Sequence, residues 1–360
     1  MGHAATSEYT LSVTIPPGRI ARASVAGGVL LLALSAVAHL ALAAGQTLRE
    51  VVFTEYGELS SNAELVRRLL SPLAVARLEA ELKRSGQRTA AHAVNLAEEK
   101  FVVYVPSQRR AGGYGLLVFV PPWEDARIPQ GWAAVLDRFG VIFASAVRSG
   151  NAEDVLGRRE PLALLAAENI IRQYPVDAER VYIGGFSGGS RIALRLALAY
   201  PDLFRGAILN AGSDPIGTQE LALPPRELLF KFQSSTRLVY LTGERDTAHA
   251  VDDQMSLRSL HQWCVFSAEN YVLPRVEHEV APPEALARAL GGLLESAPPD
   301  PARLASCRTK IETELAARLQ EVESLTTSGR RAEAEKLLKK VDERFGGLAA
   351  PRSVELAGKL

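Results

Sequence analysis

From residue 101 onward, short continuous apolar runs alternate with longer amphipathic stretches. The runs "GLLVFV" at 115–120 and "LVYLTG" at 238–243 are apolar at successive positions, so both sides of the pleat must be covered, as in a parallel sheet flanked by helices. The pattern predicts strands at 51–53, 101–105, 116–120, 141–146, 181–184, 207–210, 238–242 and 271–276. Helices are predicted over 62–84, from about 132, over 162–173, 190–200, around 225–232, over 252–263 and over 283–294. Strands that alternate with helices in this way build a doubly wound, mainly parallel α/β domain with helices on both faces.

Both ends of the chain depart from that rhythm. Arg19 and Arg22 precede an apolar run at 25–44 that closes on Ala41-Leu42-Ala43. This is the layout of a cleaved signal peptide, which implies an exported, periplasmic or secreted protein; a retained membrane anchor at 25–44 is the alternative. Beyond Pro298-Pro299-Asp300-Pro301, the stretch "KIETELAARLQEVESLTTSGRRAEAEKLLKKVDERF" is charged and helical in period. It predicts two helices joined at Thr326–Gly329, a hairpin that resembles a single tetratricopeptide-like unit. Such a hairpin either packs on the main domain or offers a docking surface to a protein partner. The division is therefore a leader at 1–44, an α/β domain at 45–297 and a helical hairpin at 302–360.

Composition narrows the function. With 360 residues, 47% hydrophobic and 23% charged, the chain can bury a full core. Lys and Arg number 41 against 41 Asp and Glu, with no like-charge block, so nothing marks a nucleic-acid surface. Neither an HExxH, a cysteine–histidine cluster nor a phosphate loop of the GxxxxGK[ST] type is present, so no metal or nucleotide cofactor is expected. The two cysteines, Cys264 and Cys307, either pair after export or stand as separate buried thiols.

The stretch "GGFSGGS" at 184–190 carries the chemistry. It lies between a predicted strand and a predicted helix, where a GxSxG sequence makes a sharp turn that exposes a nucleophilic serine, Ser187. Glycines two before and two after that serine are required because side chains there would strike the neighbouring strand and helix. A serine hydroxyl needs a base, and the base an orienting acid. Asp246 follows the strand in "VYLTGERD" and His278 follows the next in "VLPRVEHEV", which puts both at the carboxyl edge of the sheet, beside the serine. His249 and His261 fall in a predicted loop and helix, and Asp252 or Asp253, read as solvated helix-start residues, are the fallback acids.

With those residues in place, the chain from about 101 to 294 resembles the α/β-hydrolase superfamily. It is most similar there to serine esterases of the polyhydroxybutyrate depolymerase and feruloyl esterase type, through "YPVDAERVYIGGFSGGSRIALRLALAYPDLFRGAILNAG", "LTGERD" and "VEHE". The resemblance implies a Ser187-His278-Asp246 triad acting on a small-molecule or polymeric ester. In these hydrolases the first core strand usually ends in His-Gly, which supplies an oxyanion-hole amide, whereas this chain has Val120-Pro121-Pro122-Trp123. Proline has no N–H, so the Trp123 amide is the first available donor, with Gly188 as the second. Phe186 and Trp132 are candidates to line an aromatic-accepting pocket. Two other functions fit the same residues: a catalytically weakened binding protein and an acyl-peptidase-like hydrolase.

Overall fold

The computed structural model describes residues 45–295 and 298–360, so the predicted leader at 1–44 lies outside the described residues. Eight strands form one sheet: β1 (Gln46–Val51), β2 (Phe101–Val105), β3 (Tyr114–Val120), β4 (Val141–Ala146), β5 (Val176–Phe186), β6 (Gly206–Asn210), β7 (Arg237–Gly243) and β8 (Ala268–Leu273). Their order is β1-β2-β4-β3-β5-β6-β7-β8. β1 and β2 run antiparallel to their neighbours, and from β4 to β8 every pairing is parallel. The helices of the domain are α1 (Asn62–Leu69), α2 (Pro72–Ser85), α3 (Trp132–Phe139), α4 (Glu160–Gln173), α5 (Gly188–Ala199), α6 (Arg226–Ser235), α7 (Thr247–Gln262) and α8 (Pro283–Glu295). This topology is the α/β-hydrolase fold, with helices on both faces of the sheet.

The apolar strands divide their side chains between two cores, as their unbroken hydrophobicity requires. Val118, Ile142, Ile183 and Leu209 face one side with Leu165 of α4 and Ala193 and Leu196 of α5. Leu117, Phe143, Tyr182 and Ile208 face the other with Leu136 of α3 and Leu286 and Leu290 of α8. Each fully buried leucine among them contributes about 2 kcal/mol of transfer free energy, and truncating one to alanine costs about 2–5 kcal/mol.

Several boundaries differ from expectation: β5 begins at Val176 rather than 181, and β8 lies at Ala268–Leu273 rather than 271–276. The helix expected over 62–84 is two helices, because Pro72 cannot donate into a preceding turn and Ser71 recaps the chain, its Oγ accepting from the Ala74 amide at 3.4 Å. The first strand lies earlier than 51–53, at Gln46–Val51. α7 begins at Thr247 rather than at 252, with Asp246 as its N-cap residue.

The C-terminal part forms α9 (Pro301–Thr327), α10 (Arg331–Phe345) and a further short helix, α11 (Arg352–Ala357), which the sequence pattern does not announce. Asp300 caps α9 by accepting from the Ala302 amide at 2.9 Å, and Gly329 takes the left-handed φ of +76° that the tight turn before α10 demands. The hairpin is stitched to the body. Arg308 donates to Gln233 Oε1 and to the Phe230 carbonyl, both at 2.6 Å. Phe345 packs edge-on against Trp263 at 5.6 Å. Cys264 and Cys307 form a disulfide with Cα atoms 5.8 Å apart. Closing a loop of this sequence separation, 43 residues, stabilises the fold by about 4 kcal/mol on the loop-entropy account.

Candidate active site

β5 ends at Phe186 and α5 begins at Gly188, leaving Ser187 as the whole connection. Its backbone sits at φ 54°, ψ −123°, a conformation that costs a residue with a Cβ roughly 1–3 kcal/mol. The flanking glycines make the turn possible. A Cβ on Gly185 would stand 2.2 Å from the Gly189 carbonyl, and one on Gly189 would stand 1.9 Å from the Val120 carbonyl oxygen. The Ser187 amide donates to the Asn210 carbonyl at 2.8 Å, which ties the turn to β6.

His278 Nε2 lies 3.0 Å from Ser187 Oγ. On the other side of the ring, His278 Nδ1 lies 2.6 Å from Asp246 Oδ2. An ionised carboxylate only accepts, so Nδ1 carries the proton and Nε2 is left to accept from the serine hydroxyl. The geometry thus brings Ser187, His278 and Asp246 into one hydrogen-bonded series, whereas the fallback acids lie elsewhere. Asp252 pairs with Arg191 at 3.0 Å. Asp253 is not solvated: it is 1% exposed, accepts from the Thr242 hydroxyl, and has its carboxyl pushed up to about 6 by burial.

Asp246 is 7% exposed. Burial alone would raise its carboxyl, but hydrogen bonds from His249 and His278 outweigh it and hold the group below the ordinary aspartate value. His249, expected in a loop, also meets this acid. Its Nδ1 lies 2.7 Å from Asp246 Oδ1, and its ring stacks on His278 at 4.0 Å and 13°. The missed signal was spacing: a histidine three residues after the acid faces it once Thr247 opens a helix.

His278 stands five residues beyond β8, not at its end, and its loop is clamped from three sides. The Ala281 amide donates to Asn210 Oδ1 at 2.7 Å, the Trp132 indole N–H donates to the Ala281 carbonyl at 2.9 Å, and the Arg245 amide donates to the Val276 carbonyl at 3.0 Å. That observation corrects the expectation for Trp132. The residue is 1% exposed and packs against Phe119 and Phe143, so its ring is sealed in the core, from which it supports the histidine loop.

Phe186 packs against His278 at 4.7 Å and against Trp123 at 6.2 Å. The loop at 121–123 passes over the elbow, since the end of β3 meets Gly189. Gly188 is the first residue of α5, where backbone N–H groups have no intrahelical acceptor and the helix dipole favours negative charge. Asp246, His249 and His278 also bring three possible metal-ligand atoms within 4.8 Å of one another. Both imidazole Nδ1 atoms are engaged with the carboxylate and His278 Nε2 with the Ser187 hydroxyl, so hydrogen bonds already occupy these atoms.

No protein-family model matches the chain, and no curated protein matches it. Among solved structures it is similar to an S-formylglutathione hydrolase from Staphylococcus aureus, with 13% identity over 55% of this chain and 93% of that one and a TM-score of 0.45. It is also similar to an acetyl xylan esterase from Aspergillus awamori, at 15% identity over 57% and 98% of the two chains and a TM-score of 0.43. A ferulic acid esterase shows 15% identity over 54% and 89%, with a TM-score of 0.40. Likenesses this distant do not assign an activity.

Proposed function

We propose that the protein is a serine hydrolase that cleaves carboxylic esters through an acyl-enzyme. One observation carries this reading: Ser187, on a strained strand-to-helix turn, has His278 Nε2 at 3.0 Å, and His278 Nδ1 has Asp246 at 2.6 Å. In the first step Ser187 Oγ attacks the ester carbonyl while His278 Nε2 takes its proton, and Asp246 stabilises the imidazolium so formed. The negative charge on the carbonyl oxygen is met by the Gly188 amide at the start of α5 and by the Trp123 amide. His278 then gives its proton to the departing alkoxide, leaving Ser187 acylated. A water molecule attacks the acyl group while His278 again takes the proton, and as the adduct collapses His278 gives that proton to Ser187 Oγ, which restores the serine and releases the acid.

The Phe186 ring beside His278 suits the planar or apolar part of an acyl or alcohol group, in keeping with the polyhydroxybutyrate depolymerase and feruloyl esterase type of substrate. A fluorophosphonate probe tests the nucleophile. It should label the wild-type protein and not Ser187→Ala, and short para-nitrophenyl and feruloyl esters should be hydrolysed by the first and not the second. Absence of labelling and turnover in a folded wild-type protein would overturn the assignment.

A further inference from the structure

A cleft of about 640 Å³ opens directly beside the nucleophile, with Gly188 in its wall. It is separate from a larger cleft of about 740 Å³ against α1 and α2, which no residue of the Ser187 series lines. The smaller cleft is rich in charge, and nearly all of that charge is already matched. Arg191 pairs with Asp214 and Asp252, and Arg195 with Glu160. Glu153 pairs with Arg158, and Asp154 accepts from the Gly157 amide.

Asp154 meets only that amide, and among the cations of the cleft Arg159 is the exception. Its side chain is 4% exposed, yet among the described residues it pairs with no carboxylate. Nε donates to the Ser149 carbonyl at 3.0 Å and Nη2 to the Pro121 carbonyl at 3.1 Å. Among the described residues Nη1 has no partner, and Arg159 lines the cleft. The charge is poorly matched as well: burial acts to lower the pKa of this guanidinium, and the charges of Glu124 and Glu160 compensate only in part. Glu124 and Glu160 act on it only at a distance, and a buried guanidinium that no carboxylate contacts is unfavourable unless something supplies that contact. The backbone places it deliberately, because Val155–Arg159 form a single π-helical turn ahead of α4, a distortion that recurs at functional sites. Both accepting carbonyls belong to the loops that border the nucleophile, so the guanidinium is fixed in direction as well as in charge.

We propose that Arg159 is the anion-reading residue of a substrate subsite beside Ser187, and that the preferred substrate is an ester carrying a carboxylate. The proposal rests on the serine-hydrolase reading above. Nη1 would donate to that carboxylate, with the apolar side chains of Val155, Leu156 and Ile192 along the wall to take the carbon chain between it and the ester.

Two matched ester series test it, covering the acyl and the alcohol side. One compares mono-para-nitrophenyl succinate, glutarate and adipate with para-nitrophenyl butyrate, valerate and hexanoate, after subtraction of spontaneous hydrolysis. The other compares para-carboxyphenyl butyrate with para-carbamoylphenyl butyrate. At least one anionic ester should exceed its neutral match in kcat/KM by about tenfold or more, chiefly through KM. In Arg159→Gln that ratio should fall toward one, and Arg159→Lys, which keeps the charge, should retain part of it. Neutral esters equal to or better than the anionic ones in both series would overturn the subsite while leaving Ser187 as the nucleophile. A preference that survives in Arg159→Gln would transfer the role to another cation. Should Arg159→Gln fail to fold, the wild-type ratio and Arg159→Lys decide. No turnover of any ester, together with no fluorophosphonate labelling, would remove the hydrolase reading itself.

Discussion

His249 lies flat against His278, with ring centroids 4.0 Å apart and an interplanar angle of 13°, and the two rings hold opposite oxygens of Asp246 at 2.7 and 2.6 Å. An acid that accepts from one histidine can rotate about its terminal torsion. An acid held at both oxygens cannot do so without breaking a hydrogen bond to a charged group, a loss of about 1.5–3 kcal/mol. His249 is therefore a positioning residue for the pair that activates Ser187. His249→Ala should lower kcat on short acyl esters by roughly tenfold with little change in KM, and His249→Asn, which can still donate to Asp246, should recover part of the loss. An unaltered kcat in His249→Ala would show that Asp246 needs no second anchor.

How much of the fold and site is legible in the sequence follows from the range of the interactions involved. The strand at 141–146 and the elbow at 185–189 depend on local apolar runs and on glycines, and both stand where they were expected. Chain order and the carboxyl edge of the sheet were enough to bring Asp246 and His278 to Ser187. His249 was passed over because the apolar pattern of α7 begins late, which hid the helix start at Thr247. The sealed position of Trp132 is not legible, because an aromatic residue near a site looks the same in sequence whether its ring is sealed or open. The placement of the Arg159 guanidinium depends on carbonyls 10 and 38 residues away, brought together by two loops, and no local pattern reports such an approach.

Ser187 also makes a prediction about stability rather than rate. Its φ of 54° is one glycine adopts freely. Ser187→Gly should therefore abolish turnover yet raise stability by about 1 kcal/mol, seen as a higher midpoint in denaturant at unchanged slope. A loss of stability would mean that the hydroxyl contributes more through its hydrogen bond to His278 than the strained backbone costs.

Asp253 should make the protein more stable in mild acid than its other carboxylates would suggest. Its folded carboxyl titrates at about 6 against an ordinary 3.8, so the favourable protonated form is fully present below 3.8 and is lost as pH rises through 6. At pH 7 the ionised buried group destabilises the fold by about 3 kcal/mol at most. Asp253→Asn keeps the shape and the contact with Thr242 without the charge. Its melting temperature should exceed the wild-type value at pH 7 by several degrees, with the gap closing at pH 4. A gap independent of pH would show that Asp253 is not the titrating group.

The loop over the elbow is the remaining point of chemistry, and its test rests on the backbone. The Pro121 carbonyl is fixed by Arg159, the Pro122 carbonyl accepts from the Asn151 amide at 3.0 Å, and the Arg127 guanidinium stands 4.5 Å over the Trp123 ring. A loop anchored at each residue can hold an amide still while charge develops on a substrate oxygen, which is what an oxyanion donor requires. Trp123→Ala keeps the N–H and removes the ring, so it should raise KM more than it lowers kcat. Trp123→Pro removes the N–H and should lower kcat by roughly 100-fold or more. Matched thermal melts and equal fluorophosphonate labelling of Ser187 would separate loss of the donor from distortion of a loop with three consecutive prolines. If both variants keep the wild-type kcat, the second donor is not Trp123, and the amides of Glu124 and Asp125 are the next along the chain.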